Sequence, residues 1–547
     1  MNAHEQRIVR FLSRPAAYPH PAGRLEHRQT HVSHVFLAGP YAYKLKKPVK
    51  FPFLDASTLA LRRKFCRLEL SLNRRLAPWV YLGMVPIVET PKGLGLGSGG
   101  RTIEWLVKMR RLPEDRMLDQ LVARRAVSRR QMEQVADRLL SFFRRAARNQ
   151  AIDRHGHPAQ VAELVLGNLR ECQPFVGRLL PEADRRLLDA AYRQYIALHE
   201  PLLARRVHER RIIDGHGDLR CENICLPAPA TARGGPGADP VIFDCVEFEP
   251  AFRCGDMAND FSFLIMDLEF RGRQDLAQAL VNRYRAKMRD PSFDVVVPFY
   301  KCHRSLVRGK VRGLAWLQHP RTAEGRRVRQ LSRRHFQLAV RYAREFAKPR
   351  LVVVGGLIGT GKSTLARTLA EVLGAAWLRT DEIRLREFAH RRRAGQACLP
   401  LLSARRRQGF ADGLYAPRVS ELVYQRLIRR AEALVRQGRS VVCDGTVSKM
   451  AGRARLRDIA ARHGASFHFF ECVVPKAVAL RRVAARYAAR TDLSEARPEH
   501  YERLRAGFEP TRGWSSQDWT KLSDDRPPHA TYRAALDALR RAWLRAG

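Results

Sequence analysis

Residues 212–226, IIDGHGDLRCENICL, place one carboxylate and one amide on a short polar stretch between two apolar flanks. Asp218 and Asn223 stand five positions apart in it. A carboxylate at such a place can orient a hydroxyl group or remove its proton, and an amide oxygen nearby can bind Mg²⁺. Together with His216 they fit the pattern H-x-D-x-x-x-x-N, with Gly in place of the usual Arg, which predicts a site for phosphoryl transfer.

Such a site needs further parts, and the chain offers a candidate for each. A second metal-binding carboxylate is expected on a later strand, where "VIFD" supplies Asp244. A lysine on an N-terminal strand should hold the nucleotide phosphates and pair with a helix glutamate. Lys44 and Lys46 both qualify because they share one face of the strand "YAYKLKK", and Glu69 lies in the helical stretch that follows. We favour Lys44, although the sequence does not choose between the two lysines.

A second nucleotide site is predicted by "GLIGTGKST", which fits the pattern G-x-x-x-x-G-K-[ST]. Its glycines let backbone N–H groups turn toward phosphate oxygens, and the helix that follows presents its positive N-terminal end. Lys362 would reach the β- and γ-phosphates, and Ser363 would bind Mg²⁺. The predicted nucleotide ligands are Gly356, Gly359, Thr360, Gly361, Lys362, Ser363 and Thr364.

Carboxylates downstream are candidates for the rest of this second site. Asp381 is predicted where a strand ends beside the phosphate loop, so it could accept a proton from an attacking hydroxyl. Arg384 follows three residues later and could hold an acidic group of the acceptor. Asp444 ends the strand "SVVCD", a usual place for a carboxylate near the metal. The alternatives are a helix-capping Asp381 with a solvated Arg384, and a turn residue at Asp444.

Arginines recur every four residues in "VALRRVAARYAAR" at Arg482, Arg486 and Arg490. On a helix they would share one face, from which they could neutralise the transferred phosphoryl group. A plain basic helix face is the alternative interpretation.

The surrounding elements fall into two patterns. Up to about residue 346, "SHVFLAG" and "YAYKLKKPV" predict a hairpin, Ser57 is a plausible N-cap of a helix, "IEWLVKMRRLP" and "VIFDCVEFE" are predicted strands, and helices dominate the rest. The Pro/Gly-rich segment 227–240 is predicted to be a flexible loop. From residue 347 strands alternate with helices, as in a parallel α/β sheet. We therefore predict two domains, 1–346 and 347–547.

The composition narrows the class of protein. The formal net charge is +46, which favours polyanionic partners, so nucleic acid is a candidate partner; a general arginine bias with solvated side chains is the alternative. The ten cysteines lack paired C-x-x-C spacing, which predicts buried free thiols. The N-terminus lacks the apolar core of a signal peptide, and no apolar stretch approaches the ~20 residues that span a bilayer. A cytoplasmic protein without a membrane partner is expected.

The motifs carry two resemblances. "GLIGTGKST" with the D-x-x-R of Asp381 and Arg384 resembles the small P-loop kinases over roughly 350–510, and looks most like their polynucleotide-kinase and zeta-toxin branch. This implies nucleoside triphosphate binding, Asp381 as base, and Arg482 and Arg486 in a lid. "HGDLRCEN", "VIFD" and "FYKCHRSLVRGKVRGL" resemble the aminoglycoside phosphotransferase and choline-kinase-like family over roughly 30–345.

The chain thus looks like the bacterial two-domain proteins that join such a domain to a P-loop ATPase of the AAA type. The expected fold is an α+β bilobal protein-kinase-like domain followed by an α/β parallel-sheet P-loop kinase domain. There are departures: the hairpin has no G-x-G-x-x-G, and few acidic residues gather near the motif to hold a polycationic aminoglycoside. The family name therefore does not identify the substrate.

The leading hypothesis is an ATP- and Mg²⁺-dependent phosphotransferase with two nucleotide sites and a hydroxyl-bearing acceptor that the sequence does not name. One alternative is a nucleic-acid-associated protein, or polynucleotide-type kinase, in which ATP switches conformation. Another makes the N-terminal domain a sensor that binds ATP without turnover.

Overall fold

The computed structural model describes residues 3–51, 54–226, 239–389, 416–489, 497–523 and 525–544. Contacts divide the chain into two compact units, one of residues 1–161 with 202–339 and one of residues 162–201 with 340–547. The second unit therefore includes a segment from the N-terminal half of the chain. A boundary at 347 stays a prediction for the limits of the two domains.

The first unit begins with an antiparallel sheet and two helices. The helices are α1 (Ala3–Leu12) and α2 (Leu59–Asn73). The strands are β1 (Glu26–Gln29), β2 (Ser33–Ala38), β3 (Tyr41–Lys46), β4 (Lys50–Phe51), β5 (Leu54–Asp55), β6 (Tyr81–Thr90), β7 (Gly93–Leu96) and β8 (Arg101–Arg110). Six of them form one sheet in the order β1-β2-β3-β8-β6-β7, and β4 pairs with β5. The predicted β2–β3 hairpin is confirmed, whereas β6 and β7 were not predicted from the sequence.

Alternation along β3 decides which side chains reach the site. Tyr43 and Leu45 pack into a core with Ile8 and Leu12 of α1. Ala42 packs on the opposite face, together with Cys66 of α2. Because side chains alternate along a strand, Lys44 and Lys46 share the α2 face with Ala42.

The N-cap of α2 differs from the prediction. Thr58 Oγ1 accepts a hydrogen bond from the backbone N–H of Leu61 at 3.2 Å. Ser57 instead donates its hydroxyl to Asp55 Oδ1 at 2.5 Å. The prediction of Ser57 was wrong by one residue, because a nearby carboxylate competes for the serine hydroxyl.

Helices dominate the chain from residue 118 to residue 346. They are α3 (Leu118–Ala123), α4 (Arg129–Arg145), α5 (Gln150–Asp153), α6 (Pro158–Arg170), α7 (Glu182–His208), α8 (Pro250–Arg253), α9 (Met257–Phe270), α10 (Gln274–Lys287), α11 (Phe293–Gln318) and α12 (Ala323–Phe346). Four short strands accompany them: β9 (Ile212–Asp214), β10 (Ile224–Cys225), β11 (Val241–Ile242) and β12 (Cys254–Asp256). They form two antiparallel pairs, β9 with β12 and β10 with β11.

The strand predicted over "VIFDCVEFE" is much shorter than expected. Only Val241 and Ile242 pair, and Asp244 has a positive φ of 62°, which a strand does not allow. The flexible loop predicted at 227–240 falls mostly on residues 227–238, which lie outside the described residues.

The second unit contains a five-stranded parallel sheet in the order β14-β15-β13-β16-β17. Its strands are β13 (Arg350–Gly356), β14 (Ala376–Arg379), β15 (Val441–Asp444), β16 (Ser466–Val473) and β17 (Trp519–Ser523). Its helices are α13 (Lys362–Val372), α14 (Thr380–Arg384), α15 (Pro417–Arg436), α16 (Met450–Arg462), α17 (Lys476–Ala489), α18 (Tyr501–Ala506) and α19 (Pro528–Leu544). Leu351 and Val353 of β13 pack in one core with α15 and α16, and Val352 and Val354 pack in another with α13 and α19. Helices thus cover both faces, as a parallel sheet requires.

Residues 162–201 supply part of the second core. Ala197 and Leu198 of α7 pack in the cluster that includes Leu365 of α13. Gln194 donates to the hydroxyl oxygen of Ser440 at 2.7 Å, and Arg540 of α19 donates to the carbonyl oxygen of Ala197 at 2.8 Å. The segment is therefore an integral layer of the P-loop unit.

Two predictions from composition concern thiols and membranes. Nine cysteines lie in the described part of the chain; all are buried and free, as expected. Among the described residues, no helix combines the length and the apolar character needed to cross a bilayer.

Candidate active sites

The loop that carries Asp218 is anchored by its backbone. Asp260, in the first turn of α9, accepts hydrogen bonds from the N–H groups of His216 at 2.5 Å and Gly217 at 2.9 Å. Gly217 has a φ of 85°, and a Cβ there would lie 2.8 Å from the carbonyl oxygen of Phe252. The buried His216 ring lies 3.0 Å from the carbonyl oxygen of Phe243. The loop is thereby held rigidly, with glycine required at one position.

The carboxylate of Asp218 is held from several sides. Arg220 donates to both of its oxygens at 2.8 Å, and the amide of Asn223 donates to Oδ2 at 3.0 Å. Burial by itself would raise the pKa of Asp218, but Arg220, assisted by Arg308 and His216, holds it below its usual range. Asp218 is therefore ionised at neutral pH. Such a carboxylate suits orienting a hydroxyl better than removing its proton early, since a strongly lowered pKa makes a weak base.

Asn223 and Asp244 are brought together by the β10–β11 hairpin. The backbone N–H of Phe243 donates to the carbonyl oxygen of Asn223 at 3.0 Å, which places Asn223 beside the residue preceding Asp244. The N–H of Asp244 donates to the Tyr81 hydroxyl at 3.2 Å, and its side chain is 44% exposed. Asp244 thus leaves the hairpin in a left-handed turn with an accessible carboxylate.

Both candidate lysines bind the same buried glutamate. Lys44 Nζ lies 2.8 Å from Glu69 Oε1 and 2.6 Å from Asp244 Oδ1. Lys46 Nζ lies 2.6 Å from Glu69 Oε2 and also binds Glu247. Burial raises the pKa of Glu69, but the two ammonium groups outweigh it and lower the pKa to about 2. Lys44 contacts the accessible Asp244, whereas Lys46 contacts the buried Glu247. Lys44 therefore remains the better candidate for binding nucleotide phosphates.

Sequence reasoning missed several residues of this first site. Glu247 is the second partner of Lys46, Arg220 holds Asp218, and Asp260 fixes the loop. Glu247 stands three residues after Asp244 in "DCVE", and that spacing was the only available signal. Asp260 was not detectable, because its partners are backbone N–H groups 43 and 44 residues away.

The phosphate loop of the second unit has the backbone geometry that its motif predicts. Gly356, Gly359 and Gly361 have φ values of 139°, 77° and 77°, and α13 begins directly at Lys362. A Cβ at Gly356 would lie 2.4 Å from the carbonyl oxygen of Cys472. Thr360 donates its hydroxyl to the carbonyl oxygen of Leu357 at 2.8 Å. The turn is therefore closed from within and accepts only glycine at these positions.

The predicted ligands for phosphate and metal meet at the start of α13. Ser363 Oγ donates to Asp444 Oδ1 at 3.1 Å, and Lys362 Nζ lies 3.3 Å from the carbonyl oxygen of Leu357. Arg379 Nε lies 3.6 Å from Asp444 Oδ2. Burial raises the pKa of Asp444, against the opposing charges of Lys362 and Arg379. Thr364 follows in the first helical turn, with its N–H bonded to the carbonyl oxygen of Gly361 at 3.1 Å.

The acceptor-side residues are less closely gathered. Asp381 lies in the first turn of α14, two residues after β14 ends, and near enough to Asp444 to influence its pKa. Arg384 is buried and donates to the Ser420 hydroxyl at 3.3 Å, so the alternative of a solvated arginine is wrong. Arg482 is exposed and Arg486 half-buried, both on α17 as predicted. Arg490 lies outside the described residues.

Arg453 was not anticipated and shapes the loop after β15. It is fully buried, and it donates to the carbonyl oxygens of Val447 at 2.9 Å and Ser448 at 2.8 Å. It also donates to the Thr511 hydroxyl at 2.6 Å. A buried guanidinium with this many acceptors fixes the loop that follows Asp444.

The residues of both regions fit the groups that the motifs imply. In the second unit a serine hydroxyl and a buried carboxylate lie side by side, and Mg²⁺ in nucleotide sites typically keeps such a small protein ligand set. In the first unit Asn223 donates through its nitrogen to Asp218, which leaves its oxygen for a cation near Asp244. Among the described residues, no group of three His, Cys, Asp or Glu side chains is arranged to bind a metal.

Comparisons with known sequences matched one family model and two mycobacterial proteins. The sequence model of the family described as AAA domain matches residues 351–511. An uncharacterized protein of Mycobacterium tuberculosis is 33% identical over 466 residues, which is 85% of this chain and 87% of the relative; an uncharacterized protein of Mycobacterium bovis matches equally.

Solved structures were also matched. A choline/ethanolamine kinase family protein from Mesorhizobium loti is 15% identical, with 61% of this chain and 99% of that chain covered and a TM-score of 0.31. A putative aminoglycoside phosphotransferase from Ralstonia eutropha is 10% identical over 62% and 98%, with a TM-score of 0.32. A gluconokinase from Sinorhizobium meliloti is 18% identical over 37% and 97%, with a TM-score of 0.27. The chain belongs to the family of the two mycobacterial proteins, and its residues 351–511 match the AAA domain model.

Proposed function

We propose that the protein is an ATP-dependent phosphotransferase with a nucleotide site in each kinase-like region, acting on a hydroxyl acceptor. The observation that carries the proposal is the convergence of Lys44, Glu69 and Asp244 from three distant segments. In phosphoryl-transfer sites, a lysine that is paired with a glutamate binds the nucleotide phosphates, and an accessible aspartate nearby binds the metal ion. The P-loop of the second unit supplies an independent cradle for a triphosphate.

In the first unit, Lys44 would hold nucleotide phosphates, while Asn223 and Asp244 would bind Mg²⁺. The metal would neutralise negative charge on the phosphates. Asp218 would orient the acceptor hydroxyl, whose oxygen forms a bond to the γ-phosphorus as the bond from that phosphorus to the ADP oxygen breaks. Asp218 would take the hydroxyl proton late in transfer and release it to water, so that the products are ADP and a phosphate ester.

In the second unit, the loop from Gly356 to Thr364 would hold the nucleotide phosphates, with Lys362 on the β- and γ-phosphates. Ser363 and Asp444 would position Mg²⁺. Asp381 would receive the acceptor hydroxyl proton, and Arg482 and Arg486 would contribute positive charge from α17. Catalysis in both sites would consist mainly of positioning and charge neutralisation.

The test uses the full-length protein with γ-labelled ATP, Mg²⁺ and a fractionated cell extract. Label is followed into small molecules, nucleic-acid ends and free phosphate. Asp218→Asn and Lys362→Ala should each remove part of the turnover, and the double variant should remove all of it. Asp275→Asn, an exposed carboxylate of α10, serves as the matched control. Unchanged turnover in both single variants contradicts the proposal.

A second candidate function makes the N-terminal region an ATP sensor. It is favoured by the engagement of both Asp218 oxygens with Arg220 and Asn223, which compete with an acceptor hydroxyl for the carboxylate. A Lys362→Ala protein that still binds ATP, yet forms no product from any extract fraction, supports the sensor. Product from that variant supports phosphotransfer.

A further inference from the structure

One face of α11 lies against the catalytic loop. Arg304, Arg308 and Arg312 recur every four residues on this helix, so they share a face. Arg304 donates to the carbonyl oxygen of Gly217 at 3.1 Å and to Asn259 at 2.8 Å. The arginine face of α11 therefore approaches the residue that precedes Asp218.

The carboxylates near this face are already bound to other arginines. Arg220 binds Asp218 and Glu222, and Arg271 binds Glu222 at 3.1 Å and Asp267 at 3.2 Å. Each acidic group in this patch therefore has a guanidinium partner before the arginines of α11 are considered.

Arg308 and Arg312 add positive charge that those carboxylates do not neutralise. Within the described ranges, neither has a carboxylate within 4.0 Å, although both are partly buried. The Nε of Arg312 is buried and has no hydrogen-bond partner among the described residues. A buried guanidinium N–H without an acceptor is costly unless another group completes it.

Neighbouring groups respond to this excess of charge. Burial, Arg220 and Arg312 lower the pKa of Arg308 to about 10. Burial lowers the pKa of His335 to about 2, and Arg308 and Arg312 are the next largest causes. A cavity of about 540 Å³ is lined by Arg271 and Arg334, with Glu269 between apolar neighbours. Arg271, which binds Glu222 and Asp267, thus connects this cavity to the charged groups near α11.

We propose that the acceptor of the N-terminal site is an anionic alcohol, whose phosphate or carboxylate group binds Arg308 and Arg312. This inference rests on the phosphotransferase function proposed above. The hydroxyl of such a compound would receive the γ-phosphoryl group beside Asp218, so the product carries one more phosphate and ADP is released. Because guanidinium groups repel ammonium groups, the same arginines select against polycationic acceptors.

The experiment measures binding to the full-length protein carrying Lys362→Ala, which weakens the P-loop as a competing phosphate site. Calorimetric titrations use inorganic phosphate, glycerol 3-phosphate, glycerate and glycerol as probes. The phosphate probes against glycerate distinguish phosphate from carboxylate recognition, and glycerol lacks both. We expect at least one anionic probe to bind, with glycerol about tenfold weaker or more, because charge-assisted hydrogen bonds are lost.

Substitution then assigns the binding. Arg308→Gln and Arg312→Gln should each weaken the anionic probe about tenfold or more while ATP affinity stays unchanged. Arg321→Gln, an exposed arginine between α11 and α12, is the matched control. Should a Gln variant fail to fold, Arg308→Lys and Arg312→Lys are used, with a several-fold weakening expected because a single ammonium replaces the guanidinium fork.

Other outcomes would contradict the proposed anionic acceptor. Equal affinity for glycerol and for every anionic probe overturns the proposal, as does full binding in both arginine variants. Phosphoryl transfer to kanamycin that neither substitution changes overturns it as well. If Asp218→Asn stops labelling of a neutral alcohol while both arginine variants retain it, the phosphotransferase function stands and the anionic acceptor is wrong.

Discussion

Lys44 Nζ lies 2.6 Å from Asp244 Oδ1, although 200 residues separate them in the chain. The contact joins a strand of the antiparallel sheet to the turn that follows the β10–β11 hairpin. Lys46 makes a comparable pair with Glu247, but that pair is buried, whereas the Asp244 side chain is 44% exposed. We therefore expect the two lysines to have different roles, with Lys44 binding a ligand and Lys46 supporting the fold.

Substitution of Lys44 and of Lys46 should separate ligand binding from support of the fold. Lys46→Met leaves the buried Glu247 without its cation, so we expect the free energy of unfolding to fall by about 3–5 kcal/mol. Lys44→Met should cost less stability, because Asp244 is open to water, yet it should weaken ATP binding more. Urea unfolding and ATP titration in a Lys362→Ala background measure the two effects. Equal effects of both substitutions on both measurements would contradict this division.

Glycines of the phosphate loop should not tolerate a methyl group. At Gly356 and Gly359 an added Cβ would lie 2.4 Å from the carbonyl oxygens of Cys472 and Ala479. We expect Gly356→Ala and Gly359→Ala to lower the free energy of unfolding by about 1–3 kcal/mol through overpacking, and to weaken nucleotide binding to the second unit.

Gly513 provides the matched control for that prediction. It also has a positive φ, 72°, but a methyl group added there would meet no described atom within 4 Å. Gly513→Ala should therefore cost only about 1 kcal/mol of backbone strain and leave nucleotide binding intact. Calorimetric ATP titration compares the three variants, and equal binding in all of them would contradict the role of the loop geometry.

Removing the hydrogen bond between Ser363 and Asp444 should change Mg²⁺ dependence more than nucleotide affinity itself. Ser363→Ala and Asp444→Asn each remove a predicted metal contact, so we expect about 10–100-fold weaker binding of Mg²⁺-ATP. Binding of ATP in EDTA should change little. Asp458→Asn, an exposed carboxylate on α16, is the control. An equal loss with and without Mg²⁺ would argue against a metal at this pair.

The pH dependence of stability should carry a contribution from His468 of β16. Its ring lies 2.8 Å from the carbonyl oxygen of Gln517 and 2.9 Å from the hydroxyl of Thr520. Burial lowers the pKa of His468 to about 4, against smaller opposing effects of Gln517 and Asp518. The folded state therefore favours the neutral ring.

Between pH ~6.5 and about pH 4, His468 is protonated in the unfolded chain but stays neutral in the folded chain. Its contribution to stability is thus complete above pH ~6.5 and is lost as the pH falls toward 4. His468→Gln should flatten the decline of Tm across this interval in scanning calorimetry. A decline as steep as that of the parent protein would rule out His468 as a cause.

Local motifs could be predicted because their chemistry is written in neighbouring residues. The phosphate loop required glycines, a lysine and a serine within nine positions, and the structure gives these glycines the positive φ values that the motif needs. The β2–β3 hairpin turned where Gly39–Pro40 indicated. The parallel sheet followed from alternation of strands and helices.

Contacts between distant segments could not be predicted in the same way. From the sequence, Arg220 could equally have been a solvated surface side chain. Only the folded loop brings its guanidinium group to the carboxylate of Asp218. The pairing of Lys46 with Glu247 spans 201 residues. The membership of residues 162–201 in the second unit depends on packing of apolar surfaces that look alike in sequence.

That last feature has a consequence for synthesis on the ribosome. Residues 162–201 emerge before any strand of the parallel sheet has been translated, yet Ala197 and Leu198 belong to its core. These two apolar side chains cannot become buried in this core until β13 and the elements after it have been synthesised. The two units therefore cannot fold one after the other in chain order during translation. We expect folding to depend on chaperones that shield this part of α7 until the parallel sheet has formed.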